Sequence, residues 1–157
     1  MNAVLAVTEG LRTIAVAAAA LAAGFTWYAF KTASIPTSSP ERLVGELRLG
    51  QFAALLLTLS GGAYIGLAAV HESRLGIGLD VALATGFFVV AAVAMLRDPR
   101  QALTILSLGF AAHAVLDVAH RPGLLPEGIA PTWYSIGCAV FDVYIGALCY
   151  FPLLRRP

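Results

Sequence analysis

Residues 102–120 read ALTILSLGFAAHAVLDVAH, and this stretch decides the fold. Its first eleven residues carry no charge, and three ionisable side chains follow, His113, Asp117 and His120, at i, i+4 and i+7. At 100° per residue these three fall within roughly 60° of arc, so a helix gathers them into one stripe and leaves the rest of its surface apolar. A helix of that kind is suited to lipid outside and a polar interior inside. A soluble helix would carry a broader polar face.

Working outward, the flanking sequence repeats the apolar theme. The 157 residues are 59% hydrophobic and 12% charged, with a mean hydropathy of +0.83, which excludes an ordinary soluble enzyme. Nucleic-acid binding is also excluded, because 10 Lys and Arg are nearly balanced by 9 Asp and Glu and form no basic stripe. Runs long enough to cross a hydrocarbon core of about 30 Å lie at residues 13–30, 49–70, 75–96, 102–119 and 132–154. Lipid cannot satisfy exposed backbone groups and no barrel-like alternation is present, so the expected fold is all-α, a single integral membrane domain of five transmembrane helices. The Ala-rich run at 15–23 offers small residues resembling a signal cleavage site, but no basic region precedes Arg12 and the apolar run is long.

Loop chemistry sets the helix starts. Ser39-Pro40-Glu41 and Asp98-Pro99 each place a capping residue before a proline suited to a first helical turn. The second helix then spans 40–70, longer than a bilayer requires, and Glu41, Arg42, Glu46 and Arg48 at its base are expected in headgroups or water. One face of the membrane receives Lys31, Arg42, Arg48, Arg97, Arg100, Arg155 and Arg156, the other only Arg12, Arg74 and Arg121. This asymmetry predicts a multi-pass protein of the inner membrane with its C-terminus cytoplasmic and its N-terminus outside. Trp27 and Tyr28 at the inner end of the first span, and Trp133 and Tyr134 at the outer end of the fifth, agree with it. Gly62-x-x-x-Gly66 would permit close helix approach, within the bundle or between copies. Cys138 and Cys149 lie about 16 Å apart along one helix and form no disulfide framework.

The buried charges carry the functional question. Asp80, Asp117, Asp142 and His113 lie within the spans, His71, Glu72 and His120 at their ends, and no Lys or Arg joins them. An acidic side chain at mid-membrane costs about 2.5–3.5 kcal/mol on insertion scales, so three require protonation, hydrogen bonding, histidine or metal. All seven fall in the outer half: Asp142 lies about 15 Å below Thr132, and Tyr134, Cys138 and Asp142 share a helical face. The expected pocket is built from four helices, opens outward and narrows toward Asp142, with Tyr64 on its wall.

The pattern His113-Ala-x-x-Asp117-x-x-His120, followed by Trp133 and by Cys138-x-x-x-Asp142, resembles one in small bacterial membrane proteins of uncharacterised function. That resemblance spans about 35 residues and implies no activity. In length and helix count the chain is also similar to the tryptophan-rich sensory protein/translocator family. It has only two Trp and lacks that family's Trp- and Pro-rich run, so porphyrin or sterol binding is not carried over.

Several chemistries fit such a pocket. Zinc or another divalent metal takes His nitrogen and carboxylate oxygen, which makes His113, Asp117, His120, His71 and Asp80 the candidate ligands. His113 and His120 are roughly 10.5 Å apart along the axis, so one ion cannot sit symmetrically between them. An open coordination position would acidify water, and a carboxylate, Asp142 or Glu72, would accept its proton. The protein would then be a metal-dependent membrane hydrolase acting on a small-molecule or lipid substrate. Four other readings stand beside it: hydrogen bonding that only fixes helix register, a proton or cation path centred on Asp142, a haem held by His71 and His113 or a quinone or lipid site, and a non-catalytic subunit. Membrane lipid is the assured partner, and self-association or a larger membrane complex stays open. Asp142 has the strongest functional claim, because a midplane carboxylate is hardest to explain as solvated surface. Nothing resembles a nucleophile elbow, a phosphate loop or a Cys-x-x-Cys site.

Overall fold

The computed structural model describes residues 2–70, 77–120 and 130–155. Among them are five helices and no strand: α1 Asn2–Ser34, α2 Pro40–Val70, α3 Ile77–Met95, α4 Pro99–Ala119 and α5 Thr132–Leu154. Each contains a stretch long and apolar enough to cross a membrane, so this is a multi-pass membrane protein. The helix starts follow the capping chemistry. Ser39 Oγ accepts from the Glu41 amide at 3.2 Å, and Asp98 Oδ1 accepts from the amides of Arg100 and Gln101, both at 3.1 Å. Helix α1 begins well before its apolar span because residues 2–11 contain no proline to stop it, while the span itself covers Arg12–Ser34.

Helix α2 is the axis of the bundle and touches all four others, with the broadest contact in the molecule between α4 and α5. Phe25, Leu49, Leu57, Leu103, Leu106, Phe110, Ile145 and Cys149 are fully enclosed and fill the middle of the bundle. Leu59, Leu108, Val115, Val140 and Val143 point outward, where lipid replaces water as the solvent. Between helices in lipid the attraction comes from close packing, and glycine permits it. A Cβ on Gly146 would meet Ser107 O and Phe110 Cβ, both at 3.2 Å, and Ser107 Oγ donates to the Gly146 carbonyl at 2.9 Å. This contact seats α5 against α4 one turn from Asp142. Gly109 likewise admits Leu57 and Val90 within 3.1–3.2 Å of where its Cβ would stand.

Two expectations need correction. The close approach of α2 and α3 is made at Gly61, whose Cβ would lie 3.3 Å from Ala84 O, whereas Gly66 meets nothing within 4 Å and Gly62 only the Phe88 ring. The base of α2 is also not solvated throughout: Arg42 and Glu46 are each 2% exposed. Arg42 Nε donates to Glu46 Oε1 at 2.7 Å, Nη1 donates to the carbonyls of Thr32 (2.6 Å) and Ile35 (3.2 Å), and Nη2 donates to that of Pro152 (2.8 Å). One guanidinium thus ties the end of α1 to the end of α5, with the Thr32 carbonyl also accepting from the Ile35 amide at 3.2 Å. Glu41 and Arg48 remain exposed as expected.

Candidate functional site

At the other end of α2, three helices bring ionisable groups together. His113 and Asp117 stand one turn apart on α4, and Asp142 reaches them from α5 at the level set by the Gly146 contact. His113 Nδ1 lies 2.7 Å from Asp142 Oδ2 and 3.3 Å from Asp117 Oδ2. The side chains are 3%, 0% and 1% exposed, so water contributes almost nothing to their charge balance.

Neighbouring groups orient each carboxylate. Tyr64 on α2 donates its hydroxyl to Asp117 Oδ1 at 2.5 Å, and Ser60, one turn earlier, donates to Asp142 Oδ1 at 3.3 Å. The His113 ring is held edge-on by Phe87, with centroids 4.6 Å apart, and by Tyr64 at 5.8 Å. With Nδ1–H committed to Asp142, Asp117 Oδ2 has no hydrogen-bond partner among the described residues. Ser135 Oγ, buried two turns before Asp142 on α5, also lacks one. Two carboxylates therefore share one imidazole and two hydroxyl donors, with no Lys or Arg in contact among the described residues, and these groups are one or two positive charges short of balance.

His120 belongs to a second arrangement. It caps α4: its Nδ1–H donates to the Leu116 carbonyl at 2.7 Å, and Nε2 faces Asp80 Oδ1 on α3 at 2.7 Å. A carbonyl only accepts, so His120 holds a proton on Nδ1 and shares a second with Asp80. The Tyr64 ring stands against His120 as well, centroids 5.2 Å apart, and so separates the two histidines. A cavity of about 10 Å³ joins the arrangements, bordered by Tyr64, Asp80, Phe87, His113, Asp117 and His120. That volume matches one water molecule.

The structure thus brings His113, Asp117 and Asp142 to one point and pairs His120 with Asp80 a few ångströms away across the cavity. His71 and Glu72 lie outside the described residues. Among the described residues, His113, Asp117 and Asp142 form a set able to hold a metal ion, their donor atoms all within 4.8 Å of one another. Ser60, Ser135 and Phe87 were not singled out from the sequence. Ser60 could have been found four residues before Tyr64, and Ser135 seven before Asp142, on shared helical faces.

The fold and this centre define a polytopic helical membrane protein with an intramembrane His/Asp cluster. The chain belongs to a family of unknown function, DUF6010, whose model matches residues 39–153, which include every described residue of the cluster and its surroundings. No curated protein and no solved structure matches it.

Proposed function

We propose that this is a membrane metalloprotein in which His113 Nδ1, Asp117 Oδ2 and Asp142 Oδ2 hold one divalent cation of the zinc class. The observation that carries the reading is the convergence of three donor atoms in a dry site with no Lys or Arg beside them among the described residues. A divalent ion with two carboxylates and a neutral imidazole is uncharged overall, which removes the imbalance that burial makes costly. One nitrogen and two oxygens suit zinc and similar borderline ions. Tetrahedral ligands sit about 3.3 Å apart, a spacing His113 and Asp117 already have, and the contact to Asp142 must lengthen by about 0.6 Å. Tyr64 and Ser60 then serve as the outer hydrogen bonds that aim the carboxylates.

Three protein ligands leave a fourth position for water, and the water-sized cavity beside His113 and Asp117 supports that use. The Asp80–His120 pair on the far wall is the proton acceptor in this reading, and Asp142, first considered for that role, becomes a ligand. The chemistry is hydrolysis of an ester, amide or phosphate in a lipid-borne substrate entering from the His120 end. A cavity of about 10 Å³ must open between α2, α3 and α4 to admit it. Seven basic residues at one end against three at the other support an inner-membrane orientation with the Arg42 end cytoplasmic.

The test is metal analysis of the full chain purified in neutral detergent without added metal. Wild type should carry about one zinc-class ion per chain, and folded His113→Ala and Asp142→Asn should carry less than about a tenth of that. Stoichiometric metal in both variants would overturn the assignment. A proton or cation path is the second reading, favoured by the polar run from Asp80 and His120 past Tyr64 and Asp117 to His113, Asp142 and Ser60. Toward Arg42 that run meets Leu49, Leu57, Leu103, Leu106 and Ile145, all fully enclosed. Liposome flux abolished by Asp142→Asn, in protein without metal, would move the conclusion to this reading.

A further inference from the structure

The opposite end of the bundle carries a second, independent feature. Between the end of α3, the start of α4 and the end of α5 runs a groove of about 610 Å³. Arg97 and Arg100 stand at its mouth, Tyr150 at its side, and Val93, Ile105 and Leu153 form its apolar wall. We propose that this groove binds an anionic phospholipid, with Arg97 and Arg100 holding the headgroup phosphate.

The donors are uncommitted. Arg97 is exposed, its amide donates to the Ala94 carbonyl at 3.1 Å, and its side chain makes no hydrogen bond or ion pair among the described residues, so its guanidinium is uncommitted. Arg100 is 49% exposed, and its one ion pair is through Nε, 3.7 Å from the buried Glu46 Oε2, which leaves both terminal nitrogens without a protein acceptor. Asp98 lies between them in sequence, but its Oδ1 is occupied by the amides that begin α4. Two guanidiniums lining one groove offer the forked donors that phosphate oxygens accept.

The depth selects a lipid. Both arginines sit at helix ends, at headgroup level if α3, α4 and α5 cross the bilayer, and Ile105 lies about 7.5 Å further along the α4 axis than Arg100. A phospholipid places its phosphate at the first level and its acyl chains at the second. Tyr150, half-exposed beside them, offers a hydroxyl to the glycerol esters, as interfacial aromatics do. Net negative charge selects the class, because a zwitterionic headgroup would bring its ammonium toward the same two arginines. Nothing in this depends on the metal centre: Thr104, the deepest polar residue lining the groove on α4, is nine residues from His113, roughly 13 Å along the helix.

The test is native mass spectrometry of the full chain in maltoside detergent, titrated with dioctanoyl phosphatidylglycerol or dioctanoyl phosphatidylcholine. Wild type should retain one phosphatidylglycerol about 25-fold more tightly than phosphatidylcholine, since each arginine near the surface contributes about fivefold. Arg97→Gln should lower the preference about fivefold, and Arg97→Gln with Arg100→Gln should abolish it. The Arg97 side chain makes no hydrogen bond or ion pair among the described residues, so the single variant reads binding even if the double variant misfolds. Lys31→Gln with Arg48→Gln removes the same charge from the α1–α2 side of the same end and should leave the preference intact. Equal losses in the two double variants would show a diffuse surface potential and overturn the site, as would a wild type without preference or an unchanged Arg97→Gln.

Discussion

Helix α2 borders two buried clusters of charged groups, one at its base and one further along beside Ser60 and Tyr64, and the two are enclosed to the same degree. Arg42 and Glu46 are each 2% exposed, and the His113, Asp117 and Asp142 side chains are 0–3% exposed. They differ in how charges balance. Arg42 spends its guanidinium on one carboxylate and on the carbonyls of Thr32, Ile35 and Pro152, and Arg100 stands 3.7 Å from the second Glu46 oxygen, so the arrangement is a clamp between helices whose carboxylate is offset by arginine. In the other cluster two carboxylates meet one imidazole, and Asp117 Oδ2 has no partner among the described residues. Burial depth therefore does not separate the two clusters, and neither does hydrogen bonding alone, because Glu46 Oε2 and Asp117 Oδ2 both lack a hydrogen-bond partner among the described residues. The balance of charge does.

The sharpest way to break this comparison is to remove one member from each cluster. Arg42→Met leaves the buried Glu46 without its close partner and removes a donor from the Thr32, Ile35 and Pro152 carbonyls, and should cost about 3–5 kcal/mol of stability, read from unfolding in mixed micelles. A loss below about 1 kcal/mol would show that the clamp holds nothing. Tyr64→Phe keeps the ring packing against His113 and His120 but removes the donor to Asp117. Metal affinity should fall about 10–100-fold in a competition titration with a zinc chelator, with little change in stability. Gly146→Val places side-chain atoms against Ser107 O and Phe110 Cβ, and should cost about 1–3 kcal/mol together with the metal, because α5 moves off α4 and takes Asp142 with it. Metal retained in a destabilised Gly146→Val would mean that the centre does not depend on this helix contact. The smallest effect is expected from Asp117→Asn in metal-free protein, where removing one of two carboxylates that share a single imidazole should leave stability within about 1 kcal/mol of wild type or raise it. A fall comparable to that of Arg42→Met would place the two clusters in one class.

Much of the architecture was legible because lipid imposes few solutions. Apolar length and the absence of barrel alternation gave five helices, and α5 spans 132–154 as read. The i, i+4 spacing of His113 and Asp117 put both on one face, and the depth of Asp142 singled it out. The base of α2 was harder to read. Arg42 and Glu46 have the spacing of an exposed helical ion pair, and nothing local indicates that the ends of α1 and α5 close over them. The stripe misleads in one respect too. His120 shares the arc of Asp117, but as the helix cap it turns to Leu116 O and to Asp80, leaving the centre to residues nearer the middle of the bundle.

Hydropathy and the 3.6-residue period are properties of one segment at a time, and they sufficed to establish the membrane spans, the polar stripe of α4 and the isolation of carboxylates from Lys and Arg. Which donor meets which acceptor depends on the rotation and offset of neighbouring helices. Those are decided by close contacts such as Gly146 on Ser107 and Gly61 on Ala84, each a matter of a few tenths of an ångström. Only the packed bundle could therefore separate a charge-balanced clamp from an unbalanced pair of acids, since partners drawn from different helices leave no mark on the sequence of either.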